Sequence, residues 1–299
     1  MDETNNLREL IAQRKGPTGV RVVAVTSGKG GVGKTFISAN FGYVAAAAGQ
    51  RVLIVDADLG LANVELLYGI SPRYHLGDLL DGKAPLQSVL AAGPLGIRIL
   101  PGGSGLRGLT HLSDAQRMRL LSALDTIEGD FDLVIFDTGA GIGDNVVFFA
   151  GGAQEALVVL TTEPTSLSDA YGLVKTLCLS GGVENFSVVI NQAPSEHVAR
   201  KTFEKLWSIT SRFLNARLRY VGSVPVDENV PRSVMSQEPV TSLFAASPAS
   251  RAILGIAERM LCQQMPKHAA GGLKFLHQRI LREAAMSEAN ATSEANAPH

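Results

Sequence analysis

What this 299-residue sequence lacks argues against several classes of protein. Its two cysteines, Cys178 and Cys262, are far apart and form no Cys-x-x-Cys pair, so neither a zinc site nor a redox motif is supported. The formal net charge is −1, which provides no overall basic field, and we expect no direct contact with nucleic acid. Residues 1–17 lack the apolar core of a signal peptide, and no apolar stretch is long enough to span a bilayer. We therefore expect a cytoplasmic protein.

A glycine-rich segment between a predicted strand and a predicted helix is the most informative feature present. It has the phosphate-loop pattern of Gly, four residues and Gly-Lys-Thr, and reads Gly28-Lys29-Gly30-Gly31-Val32-Gly33-Lys34-Thr35. Residues 22–25 before it are typical of a buried strand, and residues 36–48 after it of a helix. Backbone N–H groups of such a loop bind phosphate, Lys34 reaches the β- and γ-phosphates, and the Thr35 hydroxyl binds Mg²⁺. The alternative is a glycine-rich turn without a ligand.

Apolar runs alternate with helical patterns along most of the chain. Most of the runs are continuous, which is typical of strands covered on both faces: residues 22–25, 52–55, 97–100, 133–136, 156–160, 187–190 and 220–224. Helical patterns cover residues 114–126, 168–179 and 199–214. This order predicts an α/β fold with a doubly wound, mostly parallel sheet flanked by helices, over residues 20–265. Ligand loops are then expected at the carboxyl ends of the strands.

Acidic residues end two of the predicted strands. Asp56 and Asp58 follow the second apolar run, and Asp137 follows the fourth. An acid at the tip of a buried strand is costly unless a positive charge compensates it, as Mg²⁺ with a nucleotide would. We therefore assign Asp137 and Asp56 to the metal, together with Thr35, and Asp58 to the attacking water. The alternative is that these acids only cap helices. The loop after Asp137, which we call switch II, is flexible enough to respond to a γ-phosphate because it contains Gly139 and Gly141.

These motifs together resemble the MinD/ParA family of deviant Walker-A ATPases. Three segments carry the likeness: Lys-Gly-Gly-Val-Gly-Lys-Thr, Asp-Ala-Asp-Leu-Gly-Leu-Ala-Asn and Asp-Thr-Gly-Ala-Gly-Ile. The resemblance implies an ATP-dependent homodimer that uses ATP and Mg²⁺. In such a dimer Lys29 reaches across to the partner's phosphates and acts in catalysis with Lys34 and Asp58. The resemblance also implies that Asn191 reads adenine and that backbone around Pro225 covers the base. The alternative for Asn191 is a simple turn residue at a strand end.

Within this family the chain is most similar to the FlhG (FleN) group, which regulates flagellar number and placement. Residues 56–65, the Thr-Gly-Ala-Gly stretch of switch II and residues 163–171 carry that similarity. In the last of these, Pro164 is expected to break regular structure, and Ser168 or Asp169 to cap the next helix. No arginine finger is evident in cis and a dimer has to assemble first, so we expect slow, Mg²⁺-dependent hydrolysis of ATP to ADP and phosphate.

The N-terminal segment, residues 1–19, is similar to a partner-binding motif of the same group at Asp2, Leu7 and Arg8. Its apolar residues have helical spacing, which favours a short amphipathic helix that binds a partner. The resemblance implies an FlhF-type GTPase as that partner, and flagellar switch proteins and a FleQ-type transcription activator as further partners. The alternative is a frayed polar tail.

The C-terminal segment, residues 266–285, predicts an amphipathic helix on an anionic membrane surface. Its apolar face consists of Leu273, Leu276, Ile280 and Leu281. Two copies in an ATP-bound dimer bind a membrane better than one, so we expect reversible association with the inner face of the cell membrane. The alternative is that this face packs on the protein's own body. Residues 286–299 are predicted to be disordered.

Other functions remain compatible with these motifs. A MinD-like division-site ATPase or a ParA-like DNA-partitioning ATPase shares them, although DNA partitioning requires a basic dimer surface. An iron–sulfur carrier of the same fold is disfavoured by the lack of a Cys-x-x-Cys pair. A binding module that uses ATP only for shape and regulates a transcription activator is the remaining alternative.

Overall fold

The computed structural model describes residues 7–11, 20–60, 63–103 and 112–263. Its strands are β1 (Arg21–Ser27), β2 (Val52–Ala57), β3 (Ala91–Ala92), β4 (Arg98–Leu100), β5 (Leu133–Ala140), β6 (Glu155–Leu160), β7 (Asn185–Ala193) and β8 (Arg217–Pro225). They form one sheet in the order β3-β4-β2-β5-β1-β6-β7-β8. Neighbouring strands are parallel except for the pair β3 and β4.

Helices cover both faces of the sheet. Apart from a helical turn at residues 7–11, those of the described residues are α1 (Lys34–Ala47), α2 (Leu76–Leu80), α3 (Leu86–Val89), α4 (Asp114–Asp125), α5 (Asp144–Gly152), α6 (Pro164–Leu179), α7 (Glu196–Phe213), α8 (Asn229–Met235), α9 (Val240–Leu243) and α10 (Pro248–Leu261). Short 3₁₀ helices lie at Glu65–Tyr68, Pro94–Gly96 and Glu128–Asp130.

Alternate residues of the central strands enter two apolar cores on opposite faces of the sheet. In β1, Val23 and Val25 join the core under α1 and α10, whereas Val22 and Ala24 join the core under α4, α5 and α6. Because both faces are covered, these strands appear in the sequence as continuous apolar runs. The predicted fold class, a mostly parallel α/β sheet flanked by helices, is confirmed.

The structure differs from the sequence-based expectations at the edge of the sheet and at the start of α6, among other places. The edge strand β3 was not predicted, because two residues are too few to produce a pattern. The prediction around Pro164 was wrong: Pro164 is the first residue of α6 and Glu163 is its N-cap, so Ser168 and Asp169 lie inside the helix. Proline suits this position because its fixed φ is helical and the missing N–H would have had no intrahelical partner.

The N-terminal segment packs on the body of the protein where it is described. Residues 7–11 are helical, and Leu7 is only 2% exposed, in the same core as α1. The guanidinium of Arg8 lies beside Gly49, just after α1. The apolar side of this helical turn is therefore covered by the chain itself, and its predicted contact with a partner stays a prediction. Asp2 lies outside the described residues.

The C-terminal predictions concern residues that the structure does not describe. The proposed apolar face, Leu273, Leu276, Ile280 and Leu281, lies outside the described residues, as does the predicted tail 286–299. Among the helices of the described part, none has both the length and the apolar character required to cross a bilayer.

Candidate functional site

Three neighbouring strands deliver the predicted site residues to one edge of the sheet. β5 lies between β2 and β1, and all three are parallel, so their carboxyl ends meet. Asp56 of β2 is directly opposite Asp137 of β5. The glycine-rich loop leaves the end of β1 and leads into α1, whose first residues are Lys34 and Thr35. The strand, loop and helix context of the phosphate-loop motif is therefore present.

The glycines of the loop have two structural roles. A Cβ at Gly33, which has φ +94°, would overlap the side-chain amide of Asn191, and a Cβ at Gly28 would overlap the backbone of Asp169 in α6. In contrast, a Cβ at Gly30 or Gly31 would meet no described atom within 4 Å. One side of the loop is thus closely packed, while the other side offers open space in which backbone N–H groups can meet an anion.

Asp137 is buried beside the start of α1. The Ser38 hydroxyl donates to Asp137 Oδ1 at 2.8 Å, and the Thr35 hydroxyl also bonds to this carboxylate. Burial raises the pKa of Asp137 to about 6, although Ser38, Thr35 and the nearby Lys34 act to lower it, and Asp58 adds a further increase. A hydroxyl and a buried carboxylate whose charge is only partly compensated are the hard oxygen donors that suit Mg²⁺.

Asp56 organises the loop that follows β2. This residue is 0% exposed; its Oδ1 accepts the backbone N–H of Asp58 at 3.1 Å, and its Oδ2 accepts those of Asn63 at 2.9 Å and Val64 at 3.0 Å. Burial and the neighbouring Asp137 raise its pKa well above the ordinary value, while the N–H groups of Val64 and Asn63 oppose that increase. Both carboxylate oxygens therefore support loop backbone, a role that the sequence did not indicate. Its contact with a metal stays a prediction.

Asp58 lies next to switch II. Its Oδ1 would be 3.6 Å from a Cβ at Gly139, and the backbone N–H of Gly141 donates to the Ser27 carbonyl oxygen at 2.9 Å. Gly141 has φ +91°, a conformation that favours glycine. The structure therefore brings together the loop that carries Asp58 and the loop that was expected to respond to the γ-phosphate.

Lys29 contacts its own chain. Its Nζ lies 2.7 Å from Glu163 Oε2 and 3.1 Å from Thr165 Oγ1, both at the start of α6. Sequence reasoning did not connect these residues to Lys29. The ion pair is partly exposed, so solvent can replace either partner.

Asn191 supports the phosphate loop. It is 4% exposed at the end of β7, and its Nδ2 donates to the Val32 carbonyl oxygen at 2.8 Å. The next residue, Gln192, has φ +53°, which is uncommon for a residue other than glycine. Pro225, the last residue of β8, is opposite Ala193 of β7, which is two residues after Asn191. The two residues predicted to contact adenine thus lie on adjacent strand ends.

Comparisons with known proteins agree on one family. Residues 23–240 match the CobQ/CobB/MinD/ParA nucleotide binding domain. The chain is 43% identical to the antiactivator FleN of Pseudomonas aeruginosa over 270 residues, which cover 90% of this chain and 96% of that protein. It is 29% identical to the flagellum site-determining protein YlxH of Helicobacter pylori over 269 residues, which cover 88% and 90%. Among solved structures, the MinD cell division protein of Aquifex aeolicus is 28% identical, with a TM-score of 0.68 over 83% of this chain and 99% of that one.

Proposed function

This chain belongs to the CobQ/CobB/MinD/ParA family of nucleotide-binding proteins, and from this premise we propose that it is an ATP-dependent dimerising switch that controls flagellar number and placement. As a member of the family it is a P-loop ATPase. The observation that carries the proposal is the buried Asp137 at the start of α1. It is held by Ser38 and Thr35 beside Lys34, where the phosphates of a nucleotide would meet the loop.

Different residues of the site bind the phosphates, hold the metal and position the attacking water. The backbone N–H groups of the loop 28–33 and the Lys34 ammonium bind the phosphates, and Thr35 and Asp137 hold Mg²⁺. Mg²⁺ supplies positive charge that neutralises the phosphate oxygens. Asp56 holds the backbone of the following loop and would act in the outer shell of Mg²⁺, and Asp58 would position the attacking water.

Dimerisation completes the site. The Lys29 ammonium leaves Glu163 and reaches the phosphates held by a second copy, so that ATP becomes part of the interface. Asn191 contacts the edge of adenine, and the chain around Pro225 covers the base. Switch II, with Gly139 and Gly141, changes shape when the γ-phosphate is lost.

The flagellar role is supported by similarity over almost the whole chain to FleN and YlxH, whose names describe an antiactivator and a flagellum site-determining protein. We propose the corresponding partners: an FlhF-type GTPase at residues 1–19, flagellar switch proteins and a FleQ-type transcription activator. We also propose that residues 266–285 bind an anionic membrane from the cytoplasmic side.

Deletion of the chromosomal gene, followed by counting of flagella per cell, tests this proposal. We expect abnormal number or position, restored by the wild-type gene and not by a Lys34→Ala variant produced at the same level. Normal flagellation in the deletion strain would contradict the proposal. The second candidate is a MinD-like division-site ATPase, supported by the likeness to Aquifex aeolicus MinD. Misplaced septa with normal flagella would favour it.

A further inference from the structure

Asp227 joins the loop after β8 to the start of α10. Its Oδ2 accepts the backbone N–H of Ala249 at 2.9 Å, across 22 residues of sequence, and the Ser247 hydroxyl also bonds to the carboxylate. Its Oδ1 accepts the backbone N–H of Asn229 at 2.9 Å and the side-chain amide of the same residue at 3.0 Å. Burial acts to raise the pKa of Asp227, but these hydrogen bonds outweigh it and hold the pKa below its ordinary value. The group is therefore an ionised carboxylate at neutral pH, with donors on both oxygens.

The loop that Asp227 holds, residues 225–227, is here called the base loop. Pro225 is in register with Ala193 of β7, two residues after Asn191. The backbone N–H of Val226 donates to the Ala193 carbonyl oxygen at 3.4 Å, and the Val226 side chain is 72% exposed. The exposed apolar side chain of Val226 and the buried side-chain amide of Asn191 thus lie on neighbouring strand ends. A flat heterocycle needs both, since its faces are apolar and its edge forms hydrogen bonds.

A separate polar contact joins α1 to α9. Asn40 of α1 is 1% exposed, and its Oδ1 accepts the backbone N–H of Thr241 at 3.1 Å and the Thr241 hydroxyl at 2.9 Å. Its Nδ2 donates to the Phe36 carbonyl oxygen at 2.9 Å. The helix that begins at Lys34 is therefore connected to α9 independently of the base loop.

Hydrogen bonds hold α9 and α10 as one unit. The Ser250 hydroxyl lies 2.9 Å from the Val240 carbonyl oxygen and 2.8 Å from that of Phe244, and Ser247 caps α10 by accepting the backbone N–H of Ser250. Near the other end of α10, Arg259 Nε donates to the carbonyl oxygen of Val221 in β8. A change at the first turn of α10 therefore affects a connected unit and not a loose end.

We propose that Asp227 is a positioning residue that couples binding of the nucleotide base to the order of α10. This inference rests on the proposed function, which puts the base beside Asn191 and the base loop. The Ala249 N–H in the first turn of α10 is one of the donors that hold Asp227, and through it the base loop is joined to this turn. Base binding and ordering of this turn then favour each other equally, because a coupling free energy is reciprocal. α10 ends at Leu261, shortly before the segment predicted to bind membrane.

The test compares the full-length Asp227→Asn variant with wild type and with Asp132→Asn. The control also loses a carboxylate oxygen at a residue that accepts a backbone N–H, because Asp132 Oδ2 accepts that of Arg51 at 2.9 Å. Asp132 lies at the opposite end of the sheet and also pairs with the Arg51 guanidinium. Calorimetric titration with Mg²⁺ uses a non-hydrolysable ATP analogue and inorganic tripolyphosphate, which has no base. We expect Asp227→Asn to bind the analogue about tenfold more weakly and tripolyphosphate within about twofold of wild type. The Asp132→Asn variant should bind both as wild type does.

Two results would overturn the inference: unchanged affinity of Asp227→Asn for the analogue, or an equal loss for both ligands, which indicates general damage. A wild-type chain that does not bind the analogue would overturn the proposed function as well. Binding by wild type therefore distinguishes failure of the coupling from failure of the proposed function. If Asp227→Asn does not fold, amide hydrogen exchange of the wild-type chain gives the answer. The analogue should slow exchange at Ala249 and Ser250 about tenfold, and tripolyphosphate should not. Equal protection by both ligands, or by neither, would contradict the coupling.

Discussion

The ammonium nitrogen of Lys29 lies 2.7 Å from Oε2 of Glu163 in the same chain. A lysine that serves the phosphates of a second copy has to leave this partner before it can cross the interface. The cost is small, because the lysine side chain is 38% exposed and that of the glutamate 62%, and exposed ion pairs contribute at most about 1 kcal/mol. The pair can therefore delay or bias the proposed dimerisation, but it cannot prevent it.

Removal of the Glu163 charge should make dimerisation easier. We expect Glu163→Gln to strengthen the dimer formed with a non-hydrolysable ATP analogue by no more than about fivefold, which corresponds to about 1 kcal/mol. Sedimentation equilibrium measures this change. Glu184→Gln, which removes a similarly exposed partner of Arg217, is the matched control and should have no effect. A weaker dimer in Glu163→Gln would show that the glutamate supports the interface.

Loss of the Asp58 carboxylate should separate binding from hydrolysis. Asp58 lies against Gly139 of switch II, and neither residue is part of the loop that binds phosphate. We expect Asp58→Ala to form ATP-bound dimers, while phosphate release slows at least about 100-fold. A loss of this size is usual when a general acid or base is removed. Asp81→Ala, on the surface beside Lys83, is the control. Normal phosphate release by Asp58→Ala would remove its assigned role.

The local parts of this site were predictable, and the pairs between distant segments were not. A phosphate loop is read directly from Gly28–Thr35, because its chemistry depends on consecutive residues. The contact of Lys29 with Glu163 spans 134 residues, and that of Asn40 with Thr241 spans 201. Periodicity identifies the helices that carry such residues, but it does not tell which residue of one helix meets which residue of another.

Asp56 illustrates a second limit. Its position after a buried strand predicted that a metal compensates its charge, and that contact stays a prediction. The structure adds three backbone N–H donors from the following loop. Those donors depend on where the backbone of Asp58, Asn63 and Val64 lies relative to the strand end. No pattern of apolar residues indicates such a placement, so the sequence did not predict it.

The protonation of Asp137 should affect stability in the absence of Mg²⁺ and nucleotide. Because burial raises its pKa to about 6, the folded protein holds this proton more tightly than the unfolded chain does. The free-energy cost of keeping the buried carboxylate ionised is fully present above about pH 6 and disappears below the ordinary pKa of 3.8. The wild type should therefore gain stability as the pH falls from about 6 to 3.8. Asp137→Asn cannot ionise. At pH 7.5 it should be more stable than wild type by on the order of 2 kcal/mol, and near pH 4 about equally stable.

Urea unfolding of both proteins in EDTA, at several pH values from 4 to 7.5, checks this prediction. Taking the difference between the two proteins cancels the titration of most other groups, although the neighbouring Asp56 shifts in the same direction and remains in both. A difference in the free energy of unfolding that does not change with pH would show that Asp137 titrates normally.

Glu155 should be important for folding and not for catalysis. It is buried at the start of β6, where Oε2 accepts from Arg21 at 2.9 Å and Oε1 accepts from Arg219 at 2.9 Å. Burial acts to raise the pKa of Glu155, but Arg21, Ser187 and Arg219 outweigh it, so the pKa is lowered. Its contribution to stability is thus present above the ordinary pKa of 4.5 and is lost as the pH falls through the lower folded value. Glu155→Gln leaves two guanidinium groups without their counter-charge and should cost about 3 kcal/mol at pH 7.

Thermal or urea unfolding measures that loss, and ATP turnover per folded molecule is the internal control. The cluster lies at the amino ends of the strands, away from the phosphate loop, so turnover per folded molecule should be unchanged. Arg217→Gln removes an exposed ion pair from the same strand as Arg219 and should cost less than about 1 kcal/mol. Equal losses in the two variants would mean that burial of Glu155 does not increase its effect.

Asn191 should influence the phosphates as well as the base. Its amide donates to the carbonyl oxygen of Val32 inside the phosphate loop, so Asn191→Ala removes a support of the loop together with any contact to adenine. A lost hydrogen bond of this kind costs about 1 kcal/mol, so binding of inorganic tripolyphosphate should weaken about fivefold and binding of an ATP analogue by more. Asp227→Asn provides the contrast, because it should spare tripolyphosphate. Calorimetric titration of the two variants with both ligands separates the roles, and unchanged tripolyphosphate binding in Asn191→Ala would restrict that residue to the base.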